Sequence, residues 1–83
     1  METIYGWAVE KVNGKCFISA ATKERKTDGN VVTEEVICHD LSGFMGSWKA
    51  RKDSVFFQTV SGDATCSIAL EQASKYAKEH RGE

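Results

Sequence analysis

The dipeptide Asn13-Gly14 stands between two stretches, 4–12 and 15–22, in which apolar and polar residues alternate. Asn and Gly tolerate the positive φ that both central positions of a type I′ turn require, so a β-hairpin is the one local structure this segment specifies strongly. A two-residue turn leaves no freedom in the pairing. Val12 must face Lys15, Glu10 must face Phe17, Val9 must face Ile18 and Trp7 must face Ala20. One side of the hairpin then carries Tyr5, Trp7, Val9, Cys16, Ile18 and Ala20, and this is the expected core side.

Asp28-Gly29 repeats the turn chemistry ahead of a third alternating run over 31–38, which predicts a β-meander. A two-residue turn there sets Ala20 against Ile37 on the core side and Lys23 against Glu34 on the other, where opposite charges can pair. The period breaks over 39–47, where Gly43 and Gly46 bracket Phe44-Met45, and a loop is expected. Residues 48–51 and 55–60 predict a second hairpin around Lys52-Asp53, with Trp48 and Phe57 on the core side and Phe56 pointing away. Asp63 is the expected N-cap of a helix over about 64–80. Cys66, Ala69, Leu70, Ala73, Tyr76 and Ala77 fall along one side of it at helical spacing.

Val and Ile together outnumber Leu eleven to two, which favours strand over helix. With no proline and no linker, residues 1–83 are expected to form a single domain. The expected class is α+β: an antiparallel, strongly twisted β-meander of four to five strands within 4–60, in chain order. One C-terminal α-helix packs on the face bearing Trp7, Ile18, Ile37, Trp48 and Phe57.

Eleven Lys/Arg against twelve Asp/Glu exclude both an acidic nucleic-acid mimic and a strongly basic chromatin-type protein. Three cysteines, Cys16, Cys38 and Cys66, are too few and too scattered for a secreted disulfide scaffold, which favours a reducing compartment. No apolar run approaches the roughly 20 residues of a membrane span, and Met1-Glu2-Thr3 lacks the basic, then apolar start of a signal peptide. A cytoplasmic location with no membrane partner is expected.

Groups that could carry chemistry are sparse. Cys38-His39 is the one close pair of metal-ligand types, and neighbours on a strand project to opposite faces, so no metal or other cofactor is expected. Cys16 and His39 come out as diagonal neighbours about 7 Å apart. With no evident oxyanion hole, that pair argues for structure rather than catalysis, and no enzymatic activity is expected. Gly43-Phe44-Met45-Gly46 has the bare spacing of a glycine clamp found in one class of RNA-binding module, but its bracketed residues are apolar and its neighbours read as strands. Phe44 and Met45 therefore either plug the edge of the core or stand out as contact residues.

Lys23, Arg25 and Lys26 enter one turn, and Lys49, Arg51 and Lys52 enter another. Brought to one end of the sheet, these two basic clusters would hold phosphates; beside Glu24, Asp28 and Asp53 they would be ordinary solvated turns.

A sheet has two faces, and one helix covers one of them. The other face is expected to carry Ala8, Val12, Phe17, Ala21, Val36 and Phe56 among charges, a composition suited to protein contact unless the strands curl into a half-barrel. The expected function is a small non-enzymatic protein-binding module acting by surface occlusion or self-association as a dimer, with Phe17, Val36, Phe44, Met45 and Phe56 as anchors. The alternative is a nucleic-acid-binding module using the two basic turns. In size, cytosolic character and absence of a catalytic motif, the chain also loosely resembles the small single-domain inhibitors that phages carry against host defence systems. That resemblance implies a protein partner within a host defence complex.

Overall fold

The computed structural model describes residues 1–40, 46–60, 62 and 65–80. In chain order the elements are β1 (Glu2–Val12), β2 (Lys15–Asp28), β3 (Val31–His39), β4 (Ser47–Lys49), β5 (Val55–Gln58) and α1 (Ser67–Glu79). They build the expected α+β fold, an antiparallel five-stranded sheet with the C-terminal helix on one face. The strand order is β4-β3-β2-β1-β5.

The β1–β2 hairpin has the register that Asn13-Gly14 dictates, with Trp7 on Ala20, Val9 on Ile18 and Val12 on Lys15. Both turn residues take positive φ, 53° at Asn13 and 80° at Gly14, as a type I′ turn demands. At the next turn Asp28 pairs with Val31, so the central residues are Gly29 and Asn30 rather than Asp28 and Gly29. Gly29 alone has positive φ there (60°), the signature of a type II′ turn. Moving the turn by one residue shifts the pairing by two: Ala20 meets His39, and Lys23 meets Val36. A shift of two preserves side-chain parity, so each β3 residue keeps its expected face.

The second hairpin does not form. A turn at Lys52-Asp53 is present, closed by Ser54 N–H to Arg51 O at 3.1 Å, but β4 pairs with β3 and β5 pairs with β1 on the opposite edge. The five residues between β4 and β5 therefore cross from one edge to the other. The edges of a flat five-stranded sheet lie about 19 Å apart. A link of six Cα steps, three of them spent in a turn narrower than about 7 Å, reaches about 17 Å at most. The sheet has to curl, and the link has to pass over its outer face.

Two small cores result. On the helix side Trp7 and Val9 pack against Ala69 and Ala73, with Cys16, Ile18, Ala20, Phe57, Tyr76 and Ala77 around them. The small helix residues let α1 sit close to the sheet. On the outer side Ala8, Ala21 and Cys38 pack under Val36, Phe56 and Ala50 of the crossing link. All five residues from Gly6 to Glu10 are buried, because the central strand is covered on both faces. A single helix therefore does not leave the outer face bare: the sheet curls and the link covers much of it.

Trp48 lies on that outer face, opposite Cys38, and not on the helix side with Phe57, because the hairpin around Lys52-Asp53 that would set it there does not form. The helix begins at Ser67, with an extended Cys66 at the N-cap position and no side-chain cap; Asp63 lies outside the described residues. Leu70, expected on the buried side, is 36% exposed. At the other end His80 Nδ1 donates to Tyr76 O at 2.9 Å, and its ring stacks on that of Tyr76.

Gly6 is where the outer face admits no side chain. A Cβ there would be driven into the carbonyl oxygen of Phe57 and to 2.7 Å from the Phe56 ring. Gly6→Ala is expected to lower stability by about 1–3 kcal/mol, read from the denaturation midpoint, because β5 or Phe56 must move aside. An unchanged midpoint would show that β5 is not held against β1 at this point.

Candidate functional site

The outer face is organised around a buried carboxylate. Glu10 lies on β1 opposite Phe17 and is only 6% exposed. Its Oε1 accepts from Trp48 Nε1 at 2.8 Å and from the Cys38 thiol at 3.2 Å, and its Oε2 accepts from the Arg51 backbone N–H at 3.1 Å. The donors come from β4, β3 and the crossing link, so one side chain of the central strand ties down the elements that lie over it. Burial alone would raise the Glu10 pKa. The three hydrogen bonds, led by Trp48 and helped by the nearby Arg51 charge, outweigh it and hold the carboxyl below its ordinary 4.5.

Cys38 is the counterpart. Burial, reinforced by the negative Glu10 beside it, pushes its thiol up to about 11, so it is protonated and inert at neutral pH.

Beside this node the outer face opens into a cavity of about 440 Å³. Buried Glu10 and Ser19 contribute to its lining, Phe17, Val12 and Trp48 supply apolar wall, and Asp40 and Arg51 are among its polar residues. Phe17 is 54% exposed and Trp48 38%. The arrangement is a concave, two-aromatic depression with charge at its margin and Ser19 and His39 also in its lining, a shape that can hold a protruding side chain.

The expected contact residues divide. Phe17 is open beside the cavity. Val36 and Phe56 are half-buried, packed on Ala8, Ala21 and Cys38, and Lys23 Nζ sits 4.9 Å from the centre of the Phe56 ring. These two support the face from within it. Phe44 and Met45 lie outside the described residues. Sequence reasoning missed Glu10 and Trp48. A lone glutamate between Val9 and Lys11 carries the pattern of a solvated strand position, and the break over 39–47 removes the parity that would have placed Trp48.

Three of the six basic residues are engaged by carboxylates. Lys23 lies 3.6 Å from Glu34, Arg25 contacts Glu2 at 3.2 Å and Glu34 at 3.4 Å, and Lys49 contacts Glu35 at 3.1 Å. Arg51 adds its charge to the Glu10 node. Exposed pairs of this kind contribute about 0–1 kcal/mol each, but they cancel much of the field a phosphate backbone would feel.

Cys16 and His39 are not neighbours. With His39 opposite Ala20, they are four residues apart along β2, roughly 13 Å. Cys16 instead approaches the backbone oxygen of His80, and His39 Nε2 lies 3.1 Å from Thr22 Oγ1. Among the described residues no three His, Cys, Asp or Glu converge as a metal site, and no helix is long and apolar enough to cross a membrane. Comparison with known proteins finds no family model, curated protein or solved structure that matches the chain.

Two outcomes test the node. Glu10→Gln keeps the shape but turns an amide donor toward groups that are themselves donors, and is expected to lower stability by about 1–3 kcal/mol at pH 7. Because the folded pKa of Glu10 is depressed, its contribution is complete above the unfolded value and is lost as pH falls through the folded one. The gap between wild type and E10Q should therefore be widest near neutrality and narrow below pH 4.5; a gap independent of pH would mean the carboxylate is not the element that matters. In the native chain at pH 7, a maleimide should modify Cys16 and Cys66 while leaving Cys38 unlabelled until the protein is unfolded.

Proposed function

We propose that this chain is a small, non-enzymatic protein-binding module that occupies a partner's surface through its concave outer face, with Phe17 and Trp48 as anchors. The observation that carries the reading is the state of Phe17. It sits on a strand whose register is fixed by a tight turn, and more than half of its side chain faces water. Leaving half a phenylalanine unburied forgoes roughly 1 kcal/mol in a domain with a small core. A partner recovers that energy by covering the ring.

The neighbourhood supports the same reading. Trp48 is partly open, and its indole N–H is spent on Glu10, which fixes the ring without hiding it. Aromatic anchors beside a pocket, surrounded by charged residues such as Asp40, Lys49 and Arg51, match the anatomy of protein contact sites. The basic turns give a nucleic-acid reading less support, since the strand cations in them already face carboxylates.

Phe17→Ser provides the test, because it removes the anchor without touching either core. Immobilised wild type, incubated with lysate of the organism that encodes it, is expected to retain a protein that Phe17→Ser retains at least about tenfold less, with the unfolding midpoint little changed. Equal retention by both forms would overturn the reading. So would binding to duplex or single-stranded nucleic acid at low salt that vanishes at high salt, with no protein retained.

A further inference from the structure

β4 pairs only with Ile37–His39 of β3, and Ala50 N–H donates to Val36 O at 2.9 Å as the chain turns away over the outer face. Beyond that point, from Val31 to Glu35, β3 is paired on its β2 side alone among the described residues. Asp28 and Val31 flank a two-residue turn and form the hydrogen-bonded pair that closes it, so Val31, Thr33 and Glu35 direct their backbone groups at β2. Val32 and Glu34 direct theirs outward, in the same series as the Val36 carbonyl that Ala50 uses. This free edge carries Val31 at 64% and Val32 at 55% exposure.

Such an edge is a template for another strand, and natural sheets usually blunt it with proline, lysine, a bulge or a cover. Here the β2–β3 register runs unbroken from Val31 to His39, and no proline or lysine lies between Val31 and Val36. Glu34 and Glu35 are the charges on it. Glu34 is held by Lys23 and Arg25, and Glu35 by Lys49, so the edge has little net charge with which to select a cationic strand.

We propose that this edge pairs antiparallel with the same edge of a second copy of the chain, about a two-fold axis at Val32. In that register Val32 meets Val32 of the second copy, Val31 meets Thr33, and Asn30 meets Glu34. The centre is then β-branched on both sides, the composition that suits cross-strand packing. The outward N–H and C=O groups of Val32 and Glu34 find partners. Moving the axis to Thr33 sets both valines against glutamates, and moving it to Glu34 opposes like charges. The pairing extends the sheet through both copies and puts their Phe17–Trp48 depressions on the same side. It is independent of that partner surface, which the Val32 variants leave intact.

Sedimentation velocity of the full chain from low micromolar to millimolar concentration is the first test. Wild type is expected to shift reversibly from monomer to dimer. V32K, which places two ammonium groups on the axis while leaving the β2 side untouched, is expected to weaken the dimer at least about tenfold. The second test is V32C in a background with Cys16→Ser and Cys66→Ser. The two Cα atoms of a hydrogen-bonded antiparallel pair lie about 5.5 Å apart, within disulfide reach, so mild oxidation should yield a covalent dimer. A wild type that stays monomeric up to millimolar concentration, a V32K that dimerises as well as wild type, or a V32C that fails to cross-link would each overturn the proposal.

Discussion

A charged carboxylate held away from water is the constraint on which the rest of this structure depends. An ionised glutamate buried without partners is untenable, and Glu10 is stable in place because three donors from three separate segments reach it. Trp48 fixes the short β4, the Arg51 amide fixes the crossing link, and Cys38 reports that β3 has come within reach of β1 across β2. A flat sheet would not bring these groups together. The curl, the covered outer face and the burial of β1 on both sides are consequences of the same convergence.

The two faces solve their packing differently. The helix face uses large residues on the sheet, Trp7, Ile18 and Phe57, against alanines on α1. The outer face uses Gly6, Ala8, Ala21 and Ala50, so that a strap of chain, which lacks the bulk of a helix, can lie close against the strands. Each core is small, as expected for a chain of 83 residues. The strap is also narrow, and the uncovered part of the outer face is where the Phe17–Trp48 depression opens. Incomplete cover and candidate contact surface are two descriptions of one geometry.

What the sequence conveyed follows from how local each signal was. Asn13-Gly14 determines its pairing by itself, and β1–β2 has that register. The Asp28-Gly29-Asn30 tripeptide offers two turns; the choice between them moved every β3 partner by two residues yet kept Val36 and Cys38 on the outer side. The helix was legible from its alanine stripe, although it starts at Ser67. By contrast, β4 and β5 are three and four residues long, and which edge each joins is decided by distant strands and by Glu10. Nothing in residues 48–60 encodes that choice, so the Lys52-Asp53 turn read correctly as a turn and wrongly as a hairpin. Glu10 was illegible because charge in an alternating strand points to solvent unless its partners, far away in sequence, are already known.

The strand order also bears on how the chain is made. β1 emerges from the ribosome before the other elements, yet its second neighbour β5, the strap over one of its faces and the helix over the other all come from residues 50 onward. Until those later residues are available, the β1–β2–β3 segment has its middle bare and one flank of β1 unsatisfied. The segment that ends as the most enclosed part of the molecule therefore begins as its stickiest, and the interval before residue 58 appears is when association with other unfinished chains competes with folding.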